Sequence, residues 1–321
     1  MEHAIVITAR EQAELREVAR PAAPLGPNEV AGRTLATLVS TGTELAACYL
    51  APDFPREPGY AAVFEVEAVG SEVRSLRVGD RAFCMGPHRS FQQVPAEAAV
   101  PLPAGLAPEV AVFCRLMGVT MSTLTTTTAR PPELVLVTGL GPVGHLGARI
   151  FANCGYQVVA CDPVESRREV ARQAGIHPVL PAVPLEDPAI AGQVGLVLEC
   201  SGHEAAVLDG CRVVRRRGEV VLVGVPWQQQ TTLSAHALLD AVFHRYAVLR
   251  SGWEWELPLH PQEFRVNSIY GSFAAALRWL AEGRITVDGL YRTAAPQEAQ
   301  SVYQDLLHRR WTHLAAVFTW S

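Results

Sequence analysis

The chain lacks the features of membrane-spanning and nucleic-acid-binding proteins. Its 321 residues contain no apolar run of about 18, the length that would suggest a transmembrane helix. Acidic residues (32) outnumber basic ones (27), and the net charge of −5 disfavours a nucleic-acid partner. The first residues show no basic segment followed by an apolar run, so no signal peptide is expected. These features predict a cytoplasmic protein without a membrane or nucleic-acid partner.

The cysteines form no recognisable framework. There are seven, an odd number, and no C-x-x-C pair occurs. A disulfide scaffold and a four-cysteine zinc site are therefore both disfavoured. Several of these cysteines lie in apolar runs, where a free thiol behaves as a small hydrophobic side chain. We expect reduced cysteines, most of them in the core.

The length suggests two domains, and the pattern of predicted secondary structure in the first hundred residues differs from that in the rest. They contain short β-type runs separated by turns rich in Gly and Pro, which predicts a compact, mostly antiparallel, barrel-like domain. The predicted strands include Glu29–Thr34, Ala62–Val69, Arg81–Met85 and Phe91–Val94.

From about Pro108 onward, helical and strand patterns alternate. This alternation predicts right-handed βαβ units and a doubly wound parallel sheet, an α/β fold of the Rossmann type. The predicted elements are a helix at Pro108–Thr128, a strand at Leu134–Val137, a helix through Ala152, then Gln157–Cys161, Glu165–Ala174, Leu196–Cys200, Glu204–Arg216, Glu219–Val223 and Ala247–Ser251. Helices at Ser272–Ala281 and Pro296–His308 and a strand at Ala315–Thr319 return to the first domain. The predicted domains are residues 1–116 with 256–321, and residues 117–255.

A glycine motif joins the first strand of the second domain to its helix. Gly139, Gly141 and Gly144 form G-x-G-x-x-G, with Pro142 and Val143 at the predicted start of the helix. The first glycine permits the tight turn, the second allows a diphosphate to approach the backbone, and the third allows close helix–sheet packing. The helix N-terminus then offers free N–H groups to the phosphates. Strand, turn and helix together predict a dinucleotide site.

Asp162 follows the next strand, 23 residues after Gly139, where a carboxylate can accept the ribose hydroxyls. A carboxylate there favours NAD over NADP, whereas Arg167 is placed to bind a 2′-phosphate or simply to lie on a solvated helix face. Ser201–Gly202 and Gly224–Val225 end two further strands, where backbone groups can meet the nicotinamide and its ribose. Both could instead be ordinary turns.

With these motifs, the chain resembles the medium-chain dehydrogenase/reductase superfamily over nearly its whole length. The segments Val78–Arg81 (V-G-D-R), Gly118–Thr120 (G-V-T) and the glycine motif carry the resemblance. It implies a GroES-like β-barrel catalytic domain beside the Rossmann domain and hydride transfer to or from nicotinamide C4 in the cleft between them. It also implies a homodimer joined at the sheet edge near Ala247–Leu249.

The zinc ligands of that superfamily are replaced here. Thr41 stands where zinc-dependent members have cysteine, Tyr60 stands where they have histidine, and Leu116–Met117 occupies the region of the third ligand. Since a catalytic zinc needs three protein ligands, we predict no metal. The segments Ser40–Glu44 and Pro58–Tyr60 are similar to those of a zinc-lacking branch that includes bacteriochlorophyllide dehydrogenases. The alternative is a displaced site built from Cys48, Cys84, His88 or Cys114.

Without zinc, side chains must stabilise the charge that hydride transfer builds on oxygen. Tyr60 is the candidate proton donor, Thr43 a relay and Glu44 an orienting group. Alternatively, Tyr60 fills the vacated metal space, Thr43 caps a turn and Glu44 pairs with an arginine such as Arg115. The candidates for the substrate pocket are Thr41, His88 and Trp253. For His88 the alternative is simple exposure on a loop, and for Trp253 it is contact with a partner subunit.

The sequence thus favours a zinc-independent oxidoreductase that transfers hydride between NAD(H) and a small alcohol or carbonyl substrate. An NADPH-dependent quinone or enoyl reductase is the second hypothesis. A dinucleotide-binding protein without catalysis is the third, and the loss of the metal ligands is its main support.

Overall fold

The computed structural model describes residues 2–20 and 24–320. The chain divides into two compact units, Met1–Arg115 with Phe273–Ser321, and Leu116–Ser272. The sequence places the first boundary one residue later, after 116, and the second after 255. The segment from 256 to 272 therefore groups with the unit that contains the parallel sheet, and not with the N-terminal unit.

The first unit is built mainly from antiparallel strands. Its strands are β1 (Glu2–Ala9), β2 (Gln12–Val18), β3 (Glu29–Leu38), β4 (Ala62–Val69), β5 (Arg81–Cys84), β6 (Phe91–Pro95) and β7 (Val100–Pro101), joined later by β14 (Tyr291–Ala294) and β15 (Ala315–Thr319). Its helices are α1 (Thr41–Glu44), continued by a π-helical turn at Leu45–Tyr49, α2 (Pro108–Ala111) and α9 (Ala299–Leu307). Strands β1 and β2 form a hairpin, and the others form a seven-stranded sheet.

Strand β3 organises this sheet. It pairs antiparallel with β4, β6 and β15, and its long, largely buried run of small and β-branched residues suits a central strand. Strand β15 returns from the C-terminus to lie beside β3, while β14 pairs parallel to β15. The C-terminal segment thus completes the sheet begun by the N-terminal one.

The second unit has a six-stranded parallel sheet. Its elements are α3 (Cys114–Thr126, which begins in the first unit), β8 (Leu134–Thr138), α4 (Pro142–Asn153), β9 (Gln157–Cys161), α5 (Glu165–Gln173), β10 (Val179–Leu180), β11 (Val194–Glu199), α6 (Glu204–Val213), β12 (Val214–Leu222), α7 (Ala235–Arg245) and β13 (Val248–Ser251). Helix α8 (Ile269–Ala281) leads back to the first unit. The strand order β10-β9-β8-β11-β12-β13 reverses direction at β8 and β11, as in a Rossmann sheet.

The helix predicted at Glu204–Arg216 is too long. The helix ends at Val213, and the three arginines at 215–217 lie on β12 rather than at a helix C-terminus. Val214 pairs with Val194 of β11, so sheet pairing overrides the helical preference of arginine. Arg215 binds the Glu133 carboxylate at 2.5 Å, so the arginine run has a structural partner.

The helix predicted at Pro108–Thr128 is divided into α2 and α3 by a turn at residues 112–113. All seven cysteines are free, and Cys84, Cys114, Cys161 and Cys211 are buried. Burial raises the pKa of the Cys84 thiol to about 12. Within the described residues, no helix is both long and apolar enough to cross a membrane.

Candidate functional site

The glycine motif forms a tight turn between β8 and α4. Gly139 has a φ of +84°, a conformation that side chains rarely adopt, and its N–H binds the Cys161 carbonyl of the next strand. A Cβ on Gly144 would lie 1.9 Å from the Gly139 carbonyl oxygen, so only glycine lets the helix approach so closely. By contrast, a Cβ on Gly141 would meet nothing within 4 Å, so space is open beside this residue.

Helix α4 begins immediately beside that space. It starts at Pro142, and no side chain caps its N-terminus. Proline has no N–H, but Val143 and Gly144 follow it in the first turn, where helix N–H groups lack intrahelical partners. Open space beside Gly141 and an uncapped helix start fit the diphosphate of a dinucleotide.

Asp162 is engaged in holding this turn. Its side chain is 1% exposed. One carboxylate oxygen accepts the Leu140 N–H at 2.7 Å, and the other accepts the Val164 N–H at 2.8 Å. The Arg167 guanidinium lies 3.4 Å away and is 41% exposed. The ribose contact of Asp162 stays a prediction. Its carboxylate oxygens have lone pairs left to accept further hydrogen bonds, but the side chain has almost no accessible surface for a ribose to reach.

A buried carboxylate that the sequence motifs did not indicate, Glu199, lies at the end of β11. It accepts the Ser201 N–H and hydroxyl and the Gly202 N–H, and its position in the register is opposite Thr138. Burial raises the pKa of the Glu199 carboxyl, and the hydrogen bonds from Ser201 oppose that shift. The sequence signal that could have indicated this residue is a glutamate at the end of an apolar strand.

The two later turns lie against each other and against the glycine turn. A Cβ on Gly202 would lie 2.6 Å from the Val225 carbonyl oxygen, and one on Gly224 would lie 2.5 Å from the Gly202 nitrogen. A Cβ on Gly139 would lie 2.9 Å from Ser201. The predicted cofactor residues of the second unit therefore meet at the carboxyl edge of the sheet. The N–H groups of Ser201 and Gly202 already donate hydrogen bonds to Glu199. A bound cofactor would therefore meet the backbone carbonyls of this turn rather than these N–H groups.

In the first unit, Glu44 is the centre of a buried network. One carboxylate oxygen accepts the Ser40 N–H at 2.7 Å, and the other contacts His88 Nε2 at 3.0 Å and accepts the Tyr303 hydroxyl at 2.5 Å. Glu44 is 1% exposed and Tyr303 is fully buried. Glu44 therefore positions Ser40 and the start of α1, and its predicted role as an orienting group stays a prediction.

His88 does not lie exposed on its loop. It is fully buried, with Nδ1 2.7 Å from the Thr37 hydroxyl and Nε2 on Glu44. The Trp320 indole N–H also binds Thr37. Both imidazole nitrogens are engaged, so this geometry does not support the predicted role of His88 in the substrate pocket. Its contacts are with residues distant in sequence, which no local pattern indicates.

Three hydroxyl groups lie close together beside the network around Glu44. The Tyr60 hydroxyl donates to Ser40 Oγ, and Thr43 Oγ1 lies 3.4 Å from the same phenolic oxygen. The guanidinium carbon of Arg115 lies 4.6 Å from the centroid of the Tyr60 ring. Burial raises the pKa of Tyr60, while Arg115, Ser40 and Thr43 oppose the shift. The phenol therefore keeps its proton at neutral pH and can donate it.

Thr41 and Tyr60, where the resemblance would place two metal ligands, offer hydroxyl oxygens only. Thr41 Oγ1 is buried and, among the described residues, has no hydrogen-bond partner. Within residues 2–20 and 24–320, no three His, Cys, Asp or Glu side chains are grouped to hold a metal ion. The donor set of Thr41 and Tyr60 does not fit a catalytic zinc. Trp253, in the other unit, is 70% exposed, and its predicted pocket role stays a prediction.

Comparison with known proteins gives one family match. Residues 142–254, which begin at α4 of the Rossmann sheet, match the family described as "Zinc-binding dehydrogenase". A relative named alcohol dehydrogenase, from Geobacillus stearothermophilus, is 28% identical over 270 residues, covering 70% of this chain and 78% of the relative. These matches support an oxidoreductase of the alcohol dehydrogenase type.

Solved structures share the fold over the whole length. Galactitol-1-phosphate dehydrogenase from Escherichia coli superposes with a TM-score of 0.83 at 15% identity, covering 99% of each chain. A short chain alcohol dehydrogenase from Escherichia coli CFT073, complexed with NADH, gives 0.79 at 16% identity, covering 99% of each chain. A putative zinc-binding dehydrogenase from Sinorhizobium meliloti, bound to NADP, gives 0.76 at 18%, again covering 99% of each. The chain therefore has the fold of these dehydrogenases, with a parallel Rossmann sheet in one unit and a mostly antiparallel sheet in the other.

Proposed function

We propose that this protein transfers hydride between NAD(H) and a small alcohol or carbonyl compound without zinc. The observation that carries the proposal is the turn from Gly139 to Gly144, with open space beside Gly141 and an uncapped helix start. The similarity to dehydrogenases supports the reaction class. The dinucleotide, when bound, supplies or accepts the hydride.

The side chains of the first unit would handle the proton. When a carbonyl is reduced, its oxygen gains negative charge and needs a proton donor. Tyr60 can supply it from the phenolic hydroxyl, and Thr43, 3.4 Å from that oxygen, can relay it. Thr41, whose buried hydroxyl lacks a partner among the described residues, is a candidate to bind the substrate oxygen. Glu44 acts indirectly, because its carboxylate accepts the Ser40 N–H and so positions Ser40.

The dinucleotide site can be tested by placing a carboxylate in the open space. The variant Gly141→Asp puts a negative charge where the diphosphate would lie. Aspartate is also a preferred helix N-cap, so the fold should tolerate it. A like charge against a diphosphate costs several kcal/mol in a partly buried site, which predicts at least about 100-fold weaker NADH binding by calorimetry.

Val78→Asp is the control, because it adds the same charge at a residue that is 63% exposed and lies in the other unit. This variant should bind NADH with unchanged affinity. If wild-type protein binds neither NADH nor NADPH, or if Gly141→Asp binds NADH as tightly as wild type, the proposal fails.

One observation favours a second candidate, the use of NADP(H). Asp162 is buried and occupied by backbone N–H groups, whereas the Arg167 guanidinium beside it is partly exposed. An exposed cation can accept a 2′-phosphate, as in an NADPH-dependent quinone or enoyl reductase. Calorimetry with NADPH on wild type and Arg167→Gln separates the two. Loss of NADPH affinity alone in the variant supports this second candidate.

We also propose a homodimer joined along β13. This strand is the last in its sheet, so one edge has no partner strand within the described residues. Val248 on that strand is 44% exposed, and Tyr246 before it is 66% exposed. An exposed apolar strand edge favours pairing with a second copy. Two copies paired in this way would join their parallel sheets into one.

A further inference from the structure

A cation and a second hydroxyl lie against Tyr60. Arg115, at the start of α3, places its guanidinium carbon 4.6 Å from the centroid of the tyrosine ring. Ser40 accepts the phenolic hydrogen bond, and its own backbone N–H is fixed by Glu44 at 2.7 Å. Arg115 also lies 5.7 Å from the Phe273 ring, so two aromatic side chains flank it.

The charged groups that face the phenol come from two elements. Arg115 of α3 is the cation, and Glu44 of α1, which is bound to His88 and Tyr303, is the anion. A phenolate formed beside a guanidinium in a buried site is stabilised far more than one in water. The chain contains no lysine, so every fixed side-chain cation is an arginine, which keeps its charge across the accessible pH range.

We propose that Ser40 and Arg115 complete a proton-donating unit with Tyr60: Ser40 hydrogen-bonds the phenolic oxygen throughout the reaction, and Arg115 stabilises the phenolate. This inference rests on the proposed function. Ser40 touches the reacting oxygen and is a catalytic residue, whereas Arg115 acts through Tyr60 and is a positioning residue.

In the direction of reduction, a reduced nicotinamide dinucleotide gives a hydride, which forms the new C–H bond, and the carbonyl π pair moves onto oxygen. The phenolic hydrogen, which Tyr60 donates to Ser40 Oγ in the structure, turns to the substrate oxygen; the Tyr60 O–H bond breaks, its proton goes to that oxygen, and the electron pair stays on the phenolate. The Ser40 hydroxyl then donates to the phenolate until water returns the proton. The carbonyl is reduced by two electrons and the dinucleotide is oxidised by two.

The first test measures the phenol itself and needs no activity. In protein labelled with ¹³C at tyrosine Cζ, the Tyr60 signal is assigned by its absence in Tyr60→Phe. Because Arg115 favours the phenolate, Arg115→Gln should raise the titration midpoint of Tyr60 by at least about one pH unit. Ser40→Ala should raise it by a smaller amount.

Arg292→Gln is the matched control. The Arg292 guanidinium also lies over an aromatic ring, that of Trp311, at 3.9 Å. Replacing Arg292 also removes a guanidinium–aromatic contact, but it should leave the titration midpoint of Tyr60 unchanged. An Arg115→Gln midpoint equal to the wild-type one would overturn the proposal, and so would an equal shift in both variants.

The second test separates this inference from the proposed function. In the direction of alcohol oxidation, activity requires the phenolate, so kcat/KM should rise through the Tyr60 pKa. Arg115→Gln should move that rise to higher pH and lower kcat by about tenfold or more. NAD(H) affinity measured by calorimetry should not change. If Tyr60→Phe is inactive but the profile of Arg115→Gln is unshifted, this inference fails and the proposed function stands. If wild type binds no dinucleotide, the proposed function fails, and the ¹³C titration still decides the inference.

Discussion

At the residue scale, burial shifts the pKa of a titratable side chain away from the ordinary value for its residue type. His145 follows the glycine motif on α4 and is fully buried. Burial, followed by the charge of Arg149, lowers the pKa of His145 to about 4, while a backbone contact with Val170 acts in the opposite direction. The folded state therefore strongly favours the neutral imidazole.

This lowered pKa predicts an acid sensitivity. The unfolded chain takes up the proton near pH 6.5, whereas the folded chain does so only near pH 4. The stability due to His145 is therefore complete above pH 6.5 and is lost as the pH falls toward 4, by up to about 3 kcal/mol. His145→Met should lose less stability than wild type between pH 7 and pH 4.5, measured by urea denaturation.

His236→Met serves as the control, since His236 is exposed in the same unit. Its pH dependence should follow that of wild type. A His145→Met variant whose stability falls as steeply as that of wild type would show that another group causes the acid sensitivity.

At the scale of elements, one hydrogen bond joins α9 to α1 within the first unit. Tyr303 of α9 donates to Glu44 at the end of α1, and its ring stacks on Tyr49 with centroids 5.1 Å apart. Burial, followed by the charge of Glu44, raises the pKa of Tyr303 well above its usual value, so this hydroxyl stays a donor. The C-terminal helix thus supports the carboxylate that positions Ser40.

Tyr303→Phe isolates that hydrogen bond, because the ring and its stacking remain. Loss of one donor to a buried carboxyl should reduce the free energy of unfolding by about 1–3 kcal/mol, measured by urea denaturation. The control Tyr246→Phe removes a hydroxyl from a residue that is 66% exposed and should change stability by less than about 0.5 kcal/mol. Equal stabilities of wild type and Tyr303→Phe would mean that this bond does not support α1.

The elements also show where local sequence is sufficient. The sequence predicts β4, β9 and β15 with the bounds that the structure has, because each is a short run of β-type residues between turns. It places Arg215 on a helix because the local pattern cannot include the pairing of β12 with β11. Strands β1 and β2, which form a two-stranded sheet, are not among the strands that the sequence predicts.

At the scale of the whole molecule, the proposed homodimer leads to a test on the β13 edge. Val248→Asp places a charge on that edge and should leave the protein monomeric, whereas wild type should sediment as a dimer. The control is Val78→Asp, since Val78 is also exposed, at 63%, but lies in the other unit. Sedimentation velocity at micromolar protein distinguishes the two species. A monomeric wild type, or a dimeric Val248→Asp, contradicts the proposed interface.

The sequence by itself determined the glycine turn and the parallel sheet. These features are local, because a tight turn or a buried apolar strand can be read from neighbouring residues. Only the tertiary structure decided which groups meet: His88 with Glu44, Arg115 with Tyr60, and Asp162 with the Leu140 N–H. Each pair is separated by 22 to 55 positions in the sequence, so its contact depends on how strands and helices pack, and no local pattern encodes it.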